Sequence, residues 1–177
     1  MMNMSILSLI KPAPGKIFWF FLAIAVFSIG LGFFVEYVIK IPPCNLCLFQ
    51  RIPYYVIGVV STFALIAKRW YGVLRVLVVI SILSSIGLSA YHSGVEEGFF
   101  RETSLCNPDV QIPDNMTSEQ VKEMLYNRDV ATCTKPPFKI MFLSMTEWNF
   151  LFNIGLLVLS LIYFRLERDA QAILPQQ

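Results

Sequence analysis

Four stretches of the chain are apolar almost without interruption, and the polar residues gather between them. The first runs from Ile17 to Ile39 between Lys16 and Lys40, with Glu36 as its one acid, near the far end. The second runs from about Leu48 to Ala67 and closes on Lys68, Arg69 and Trp70. The third runs from about Val73 to Tyr91 with Arg75 near its start, and the fourth from about Trp148 to Phe164, ending at Arg165. A helix needs roughly 20 apolar residues, within about 17–25, to cross the hydrocarbon core of a bilayer, and each stretch is near that length. Apolar character continues all round each stretch at helical period, which suits lipid rather than a water-facing amphipathic helix. Membrane strands would show about ten residues of alternating polarity, and that pattern is absent from the sequence. The pattern therefore predicts an all-α membrane protein, a four-helix transmembrane bundle forming a single integral domain over residues 1–177. Its outer loops fall at about 40–47 and 92–147.

Composition agrees. The chain is 56% hydrophobic and 15% charged, with mean hydropathy +0.62. An ordinary soluble domain is about 45–50% apolar and about 25% charged. The first stretch is too long for a typical signal-peptide core and has no small-residue cleavage pattern before Lys40, so it is read as a retained helix.

Charge sets the expected orientation. Lys11 and Lys16 precede the first helix, Lys68 and Arg69 join the second to the third, and Arg165 and Arg168 follow the fourth. Basic residues favour the cytoplasmic side, so both termini and the short middle link are expected there. The segment from His92 to Glu147 carries five basic residues against nine acidic ones, a net charge of −4, and is expected outside. It holds a polar run from Asp109 to Asn127, where Thr117-Ser118-Glu119-Gln120 could open a short helix through a capping box. The lipid bilayer is an obligatory partner for this layout, and no nucleic acid is expected.

All four cysteines fall on that outer side. Cys44 and Cys47 lie in the first loop, and Cys106 and Cys133 in the long one. An oxidising compartment favours disulfides, and four cysteines allow three connectivities. A structural staple is reasonable for Cys106 and Cys133, but a bond between Cys44 and Cys47 closes almost no loop and adds little stability. A zinc site usually takes two close pairs, whereas Cys106 and Cys133 are far apart in sequence. Redox chemistry fits the first pair best. Pro42-Pro43 favours an extended approach, so a helix can begin near Cys44 and aim its free N–H groups and positive dipole end at both sulfurs. Arg51, one turn beyond Cys47, adds positive charge, and both effects favour the reactive thiolate. As an alternative, Arg51 is an interfacial anchor with its head among lipid head groups.

The run Pro43-Cys44-Asn45-Leu46-Cys47-Leu48-Phe49-Gln50-Arg51 resembles the signature Pro-Cys-x-Leu-Cys-x-x-x-Arg of the DsbB family of disulfide bond formation proteins. Ala90-Tyr91-His92-Ser93-Gly94-Val95-Glu96 is similar to the family's exit from its third helix, and Ser144-Met145-Thr146-Glu147-Trp148-Asn149 to the start of its fourth. The resemblance covers roughly residues 17–165 and includes one cysteine pair per outer loop. It implies a quinone-dependent thiol-disulfide oxidoreductase that reoxidises a DsbA-like periplasmic dithiol oxidase. Cys106 would exchange with the partner's cysteine, Cys133 would pass reducing equivalents to Cys44, and Cys47 would adjoin a ubiquinone or menaquinone held by Arg51. His92 falls where the family often has a histidine near the quinone; a dipole partner or interfacial residue at a helix end is the alternative. No metal, flavin or nicotinamide is expected. Electrons leave so oxidising a dithiol only for a stronger acceptor, which a quinone pool provides. Cys106 and Cys133 must reach both a soluble partner and Cys44, which predicts a loop able to move. Rival readings are a vitamin K epoxide reductase-like enzyme, a DsbI-like relative dedicated to one partner, and a non-enzymatic scaffold with structural disulfides.

Overall fold

The computed structural model describes residues 15–67, 70–101, 117–119, 133 and 139–173. The four apolar stretches are helices. Helix α1 covers Lys16–Phe33 and runs on as a π-helical turn, Phe34–Val38; α2 covers Asn45–Ile66, α3 Tyr71–Glu96 and α4 Met145–Ile173. All four are long and apolar enough to cross a membrane. Even the 22 residues of α2 rise about 33 Å, against a hydrocarbon core of about 30 Å. The chain is a multi-pass membrane protein. Trp19, Phe27, Tyr37 and Val59 are 63–71% exposed on its outside, a surface that suits lipid and would be a liability in water.

Neighbours in sequence are neighbours in space: α1 packs on α2, α2 on α3 and α3 on α4. Phe18, Phe21, Ile57, Val78 and Ile82 fill the core. Buried Ser61, Ser85 and Ser89 keep the helix contacts thin, as small residues do where no hydrophobic drive separates helix from lipid. Helices α1 and α4 face each other across a wholly apolar cleft of about 520 Å³ that Phe20, Phe27, Phe152 and Leu159 help to line.

The helix ends depart from the sequence expectation, each for a local reason. Helix α2 starts at Asn45, ahead of the apolar run from Leu48 but as the Pro42-Pro43 approach leads one to expect, because Cys44 caps it: its backbone is extended and its Sγ accepts the Cys47 N–H at 3.3 Å. Helix α3 continues to Glu96 rather than stopping at Tyr91, so His92 belongs to the helix and not to the loop. Gly98, at φ +77°, ends it. The Phe99 N–H bonds Gly94 O at 2.8 Å and the Gly98 N–H bonds Val95 O at 3.1 Å, the two-bond cap for which a left-handed glycine is suited. Helix α4 opens at Met145 and reaches Ile173 instead of spanning Trp148–Phe164. A capping box starts it: Glu147 Oε2 accepts the Ser144 N–H at 2.6 Å, and Ser144 Oγ accepts the Glu147 N–H at 3.2 Å.

Before that cap lies a two-stranded hairpin, β1 (Lys139–Ile140) and β2 (Leu143–Ser144), with Ile140 opposite Leu143. Its turn holds Met141 and Phe142 at φ 50° and 71°, where Asn and Gly are usual, so no turn signal announced it. In the long loop Ser118 and Glu119 are helical. The remainder of that expected short helix, and Cys106, lie outside the described residues.

Candidate active site

The start of α2, the end of α3 and the start of α4 meet at one end of the bundle, and the chemistry-bearing residues meet with them. Cys44 comes from the α2 cap, His92 from the last turns of α3, Thr146 from the first turn of α4, and Cys133 from the long loop. Cys44 Sγ, Cys133 Sγ and a ring nitrogen of His92 all lie within 4.8 Å of one another, and all three residues are buried. Leu46 and Val95 complete this packing cluster, with Cys47 and Tyr91 against its edge. Cys44 and Cys47 are thiols with their sulfurs 2.8 Å apart, wider than a disulfide bond of about 2.05 Å and closer than simple packing.

The ring of His92 is 2% exposed. Its Nε2 faces Cys44 Sγ and Glu96 Oε1, each at 3.6 Å. Its Nδ1 lies 3.1 Å from Gln50 Nε2 and 3.3 Å from Thr146 Oγ1. Two neighbours assign the tautomer. Gln50 Oε1 accepts a hydrogen bond from Asn149 Nδ2 at 3.2 Å, so the Gln50 amide donates to Nδ1. Thr146 Oγ1 already donates to Glu96 Oε1 at 2.8 Å. His92 thus carries its proton on Nε2, pointing at Cys44 and Glu96.

The network continues into the bundle. Tyr54 Oη donates to Asn149 Oδ1 at 2.6 Å, and Asn153 Nδ2 donates to Tyr54 Oη at 2.9 Å. Gln50 and Tyr54 are one turn apart on α2, and Asn149 and Asn153 one turn apart on α4, so the two polar stripes face each other. The expectation of helices apolar all round is corrected here. A few amides inside a long apolar run barely alter its average hydropathy, yet in lipid they must bond one another. Their i, i+4 spacing was the available signal, and Gln50, Tyr54, Glu96, Thr146, Asn149 and Asn153 were all passed over.

Arg51 turns away from the thiols toward α1. Its Nη1 donates to Glu36 Oε2 at 2.7 Å, Nη2 donates to Gly32 O at 3.3 Å, and its Cζ lies 5.2 Å from the centre of the Phe33 ring. Gly32 leaves room for it, since a Cβ there would stand 3.1 Å from Arg51 Nε. Glu36, seen in sequence only as an isolated acid, is the partner of this cation.

The expected thiolate at both sulfurs fails at Cys44. Its thiol is pushed up to about 12 from an ordinary 9.0, first because it donates its proton to the Cys47 sulfur and then because it is buried. His92 opposes this shift but does not overcome it. Position at a helix start is outweighed by a neighbouring sulfur that takes the proton.

A family model described as Disulfide bond formation protein DsbB matches residues 15–163. An uncharacterised protein of Rickettsia prowazekii is 38% identical over 144 residues, 81% of this chain and 84% of its own length. The relative called Disulfide bond formation protein B 2 of Pseudomonas fluorescens is 26% identical over 149 residues, 80% of each chain. Disulfide bond formation protein B of Cupriavidus metallidurans is 27% identical over 158 residues, 80% of this chain and 87% of its own.

Proposed function

The chain belongs to the DsbB family, whose business is disulfide bond formation by thiol-disulfide exchange, and from that premise we propose that it reoxidises a DsbA-like periplasmic dithiol oxidase and delivers the electrons to a membrane quinone. The observation that carries the reading is the meeting of Cys133 with Cys44, residues 89 positions apart in the chain, in one buried cluster at the mouth of α2.

The proposed cycle starts with both cysteine pairs oxidised. A thiolate of the partner attacks Cys106, the Cys106–Cys133 bond breaks, and Cys133 leaves as a thiolate. Cys133 then attacks Cys44, the Cys44–Cys47 bond breaks, and Cys47 leaves with the electron pair. The partner's second thiol displaces Cys106 and closes the partner's disulfide. Cys106 then displaces Cys44 from Cys133, so its own bond reforms and the Cys44–Cys47 dithiol holds two electrons and two protons. His92 is assigned to Cys44: its Nε2–H donates to the sulfur whenever that sulfur is anionic, and Glu96 and Thr146 steady the ring. Gln50, braced by Asn149, sets which nitrogen carries the proton.

The surroundings of Cys47 fit a quinone. Cys47 is half-buried, and the neighbouring Leu48, Phe49 and Ile52 are 40–50% exposed to the lipid side. Arg51, one turn beyond Cys47 on α2, lies over the Phe33 ring and is paired with Glu36. These residues would hold the ring, with Arg51 favouring its reduced, anionic form, and a bound quinone would supply the terminal two-electron acceptor. Membrane orientation follows the charge pattern, with the cysteine end periplasmic and both termini cytoplasmic in a bacterial inner membrane. The whole chain would act as one integral domain.

The test is anaerobic. Purified protein, a reduced DsbA-like oxidase and a short-chain quinone are mixed, and quinone absorbance is followed. Steady reduction of the quinone, abolished separately by Cys47→Ser, Cys106→Ser and Cys133→Ser, is the expected result. Folded protein that reduces no quinone with any of several dithiol partners would overturn the reading.

A further inference from the structure

The cluster that suits thiol exchange also has the composition of a soft-metal site. Two sulfurs and an imidazole, from Cys44, Cys133 and His92, converge within 4.8 Å in a buried setting. Zinc holds thiolate sulfur at about 2.3 Å and imidazole nitrogen at about 2.0–2.1 Å, so two ligands of one tetrahedral ion stand about 3.5–3.8 Å apart. The separation of Cys44 Sγ from His92 Nε2, 3.6 Å, already has that value. Cys47 Sγ lies 2.8 Å from Cys44 Sγ, nearer than the roughly 3.8 Å between two sulfurs on one zinc ion, and has to move from that position to take the fourth corner. Cys106 and Cys133 are far apart in sequence, but the fold brings Cys133 to Cys44.

Ligation through Nε2 requires the His92 proton to move to Nδ1, where Thr146 Oγ1 at 3.3 Å can accept it. The Gln50 amide, 3.1 Å from Nδ1, has to turn its oxygen to the ring for this and give up its bond from Asn149. Thr146 in turn bonds Glu96 Oε1, giving the carboxylate-supported arrangement that orients ligating histidines. Cluster members also come from three separate parts of the chain, so a bound ion would tie Cys133 to α2 and α3.

We propose that the fully reduced enzyme captures one thiophilic divalent cation of the zinc type through Cys44, Cys47, Cys133 and His92, and is held there in an inactive state. Capture replaces the thiol protons of the three cysteines with metal–sulfur bonds, releases up to three protons, and changes no oxidation state. The oxidised enzyme, whose sulfurs are spent in disulfides, does not bind. Electron transfer through the cluster therefore becomes sensitive to free zinc when reduced enzyme accumulates because acceptor is short. The trigger for capture rests on the proposed redox cycle, whereas the binding site rests on geometry alone.

The experiment uses the full-length protein in lipid nanodiscs, reduced, freed of reductant without oxygen, and titrated with Co²⁺ and then Zn²⁺. One equivalent of Co²⁺ should give sulfur-to-cobalt charge-transfer and tetrahedral ligand-field bands, which Zn²⁺ displaces. Cys133→Ser and His92→Gln should each weaken binding at least about tenfold, and Cys47→Ser should reduce the charge-transfer band by one thiolate's share. Disulfide-oxidised protein should give no band. Reduced, folded protein with no band, or a band indifferent to both Cys133→Ser and His92→Gln, would overturn the inference. The quinone assay run with a chelator separates the two readings. Quinone reduction without cobalt binding removes the metal site alone, and cobalt binding without quinone reduction removes the redox reading alone.

Discussion

Gln50 Nε2 lies 3.1 Å from His92 Nδ1, and Asn149 holds the Gln50 carbonyl from behind at 3.2 Å. A helix of the first cysteine pair, the last helix turns before the long loop and the first turns after it are thereby joined through one amide. Gln50→Leu keeps the volume and removes the donor. We predict a loss of roughly tenfold in turnover, the scale of one buried hydrogen bond left unmade, with little change in KM for quinone. Gln50→Glu keeps the size but places an acceptor where the wild type has a donor, so it should not restore turnover. Full turnover in Gln50→Glu would refute the donor role and leave Gln50 a packing residue.

The buried thiol of Cys44 gives a prediction with a sign. Its pKa is raised to about 12, chiefly by the hydrogen bond it gives to Cys47. In reduced, chelator-treated protein, carboxymethylation of Cys44 by a small reagent should keep accelerating above pH 9 and level off only near pH 12. Cys47→Ala removes the acceptor and should bring the inflection down toward 9. For stability the sign follows the raised value: this thiol's contribution is complete below about pH 9, declines above it as the unfolded chain ionises first, and is gone beyond about 12. A Cys44 profile identical in wild type and Cys47→Ala would refute this account.

Arg51 is positioned by its neighbours on α1. Gly32→Ala places a methyl group 3.1 Å from Arg51 Nε, and Glu36→Gln removes the charge that holds Nη1 at 2.7 Å. Both should raise KM for quinone by about three- to tenfold, equivalent to about 0.7–1.4 kcal/mol, while exchange with the dithiol partner stays near normal. Stopped-flow measurement of the two half-reactions separates them. An effect confined to the thiol half-reaction would count against Arg51 as a quinone ligand.

At the opposite end of the bundle from the cysteines, Arg75 is paired with Glu167, whose side chain is 1% exposed, and the guanidinium also lies 5.3 Å from the centre of the Phe164 ring. Removing one partner leaves a charge with no counterpart in a poorly solvated place. Arg75→Met and Glu167→Leu should each destabilise by about 3 kcal/mol, with the double substitution recovering most of the loss. Reversible unfolding in mixed micelles measures all three. Additive losses would mean that the pair carries no coupling.

Much of this protein is written in local pattern. Runs such as Ile17–Ile39 and Val73–Tyr91 identify membrane helices because lipid imposes a length and excludes unpaired polar backbone, and both constraints can be read one residue at a time. The Cys44–Cys47 spacing, the prolines before it and Arg51 one turn later likewise mark a reactive helix start and a family. Some details were local and still passed over: the glycine at 98 that ends α3, the Ser144–Glu147 box that opens α4, and the i, i+4 amides on α2 and α4. They are weak signals beside strong apolar averages.

Other facts have no local signature. Cys133 comes to Cys44, Arg51 goes to Glu36 rather than to a thiolate, and His92 is enclosed by Gln50, Glu96 and Thr146 from three different helices. Cys44 keeps its proton because a sulfur 2.8 Å away accepts it, although its place at the helix start argues for release. Apolar length and charge asymmetry act on each segment alone, so sequence determines the helices and favours one orientation. Hydrogen-bond geometry and proton affinity depend on which segments become neighbours, and packing alone decides that.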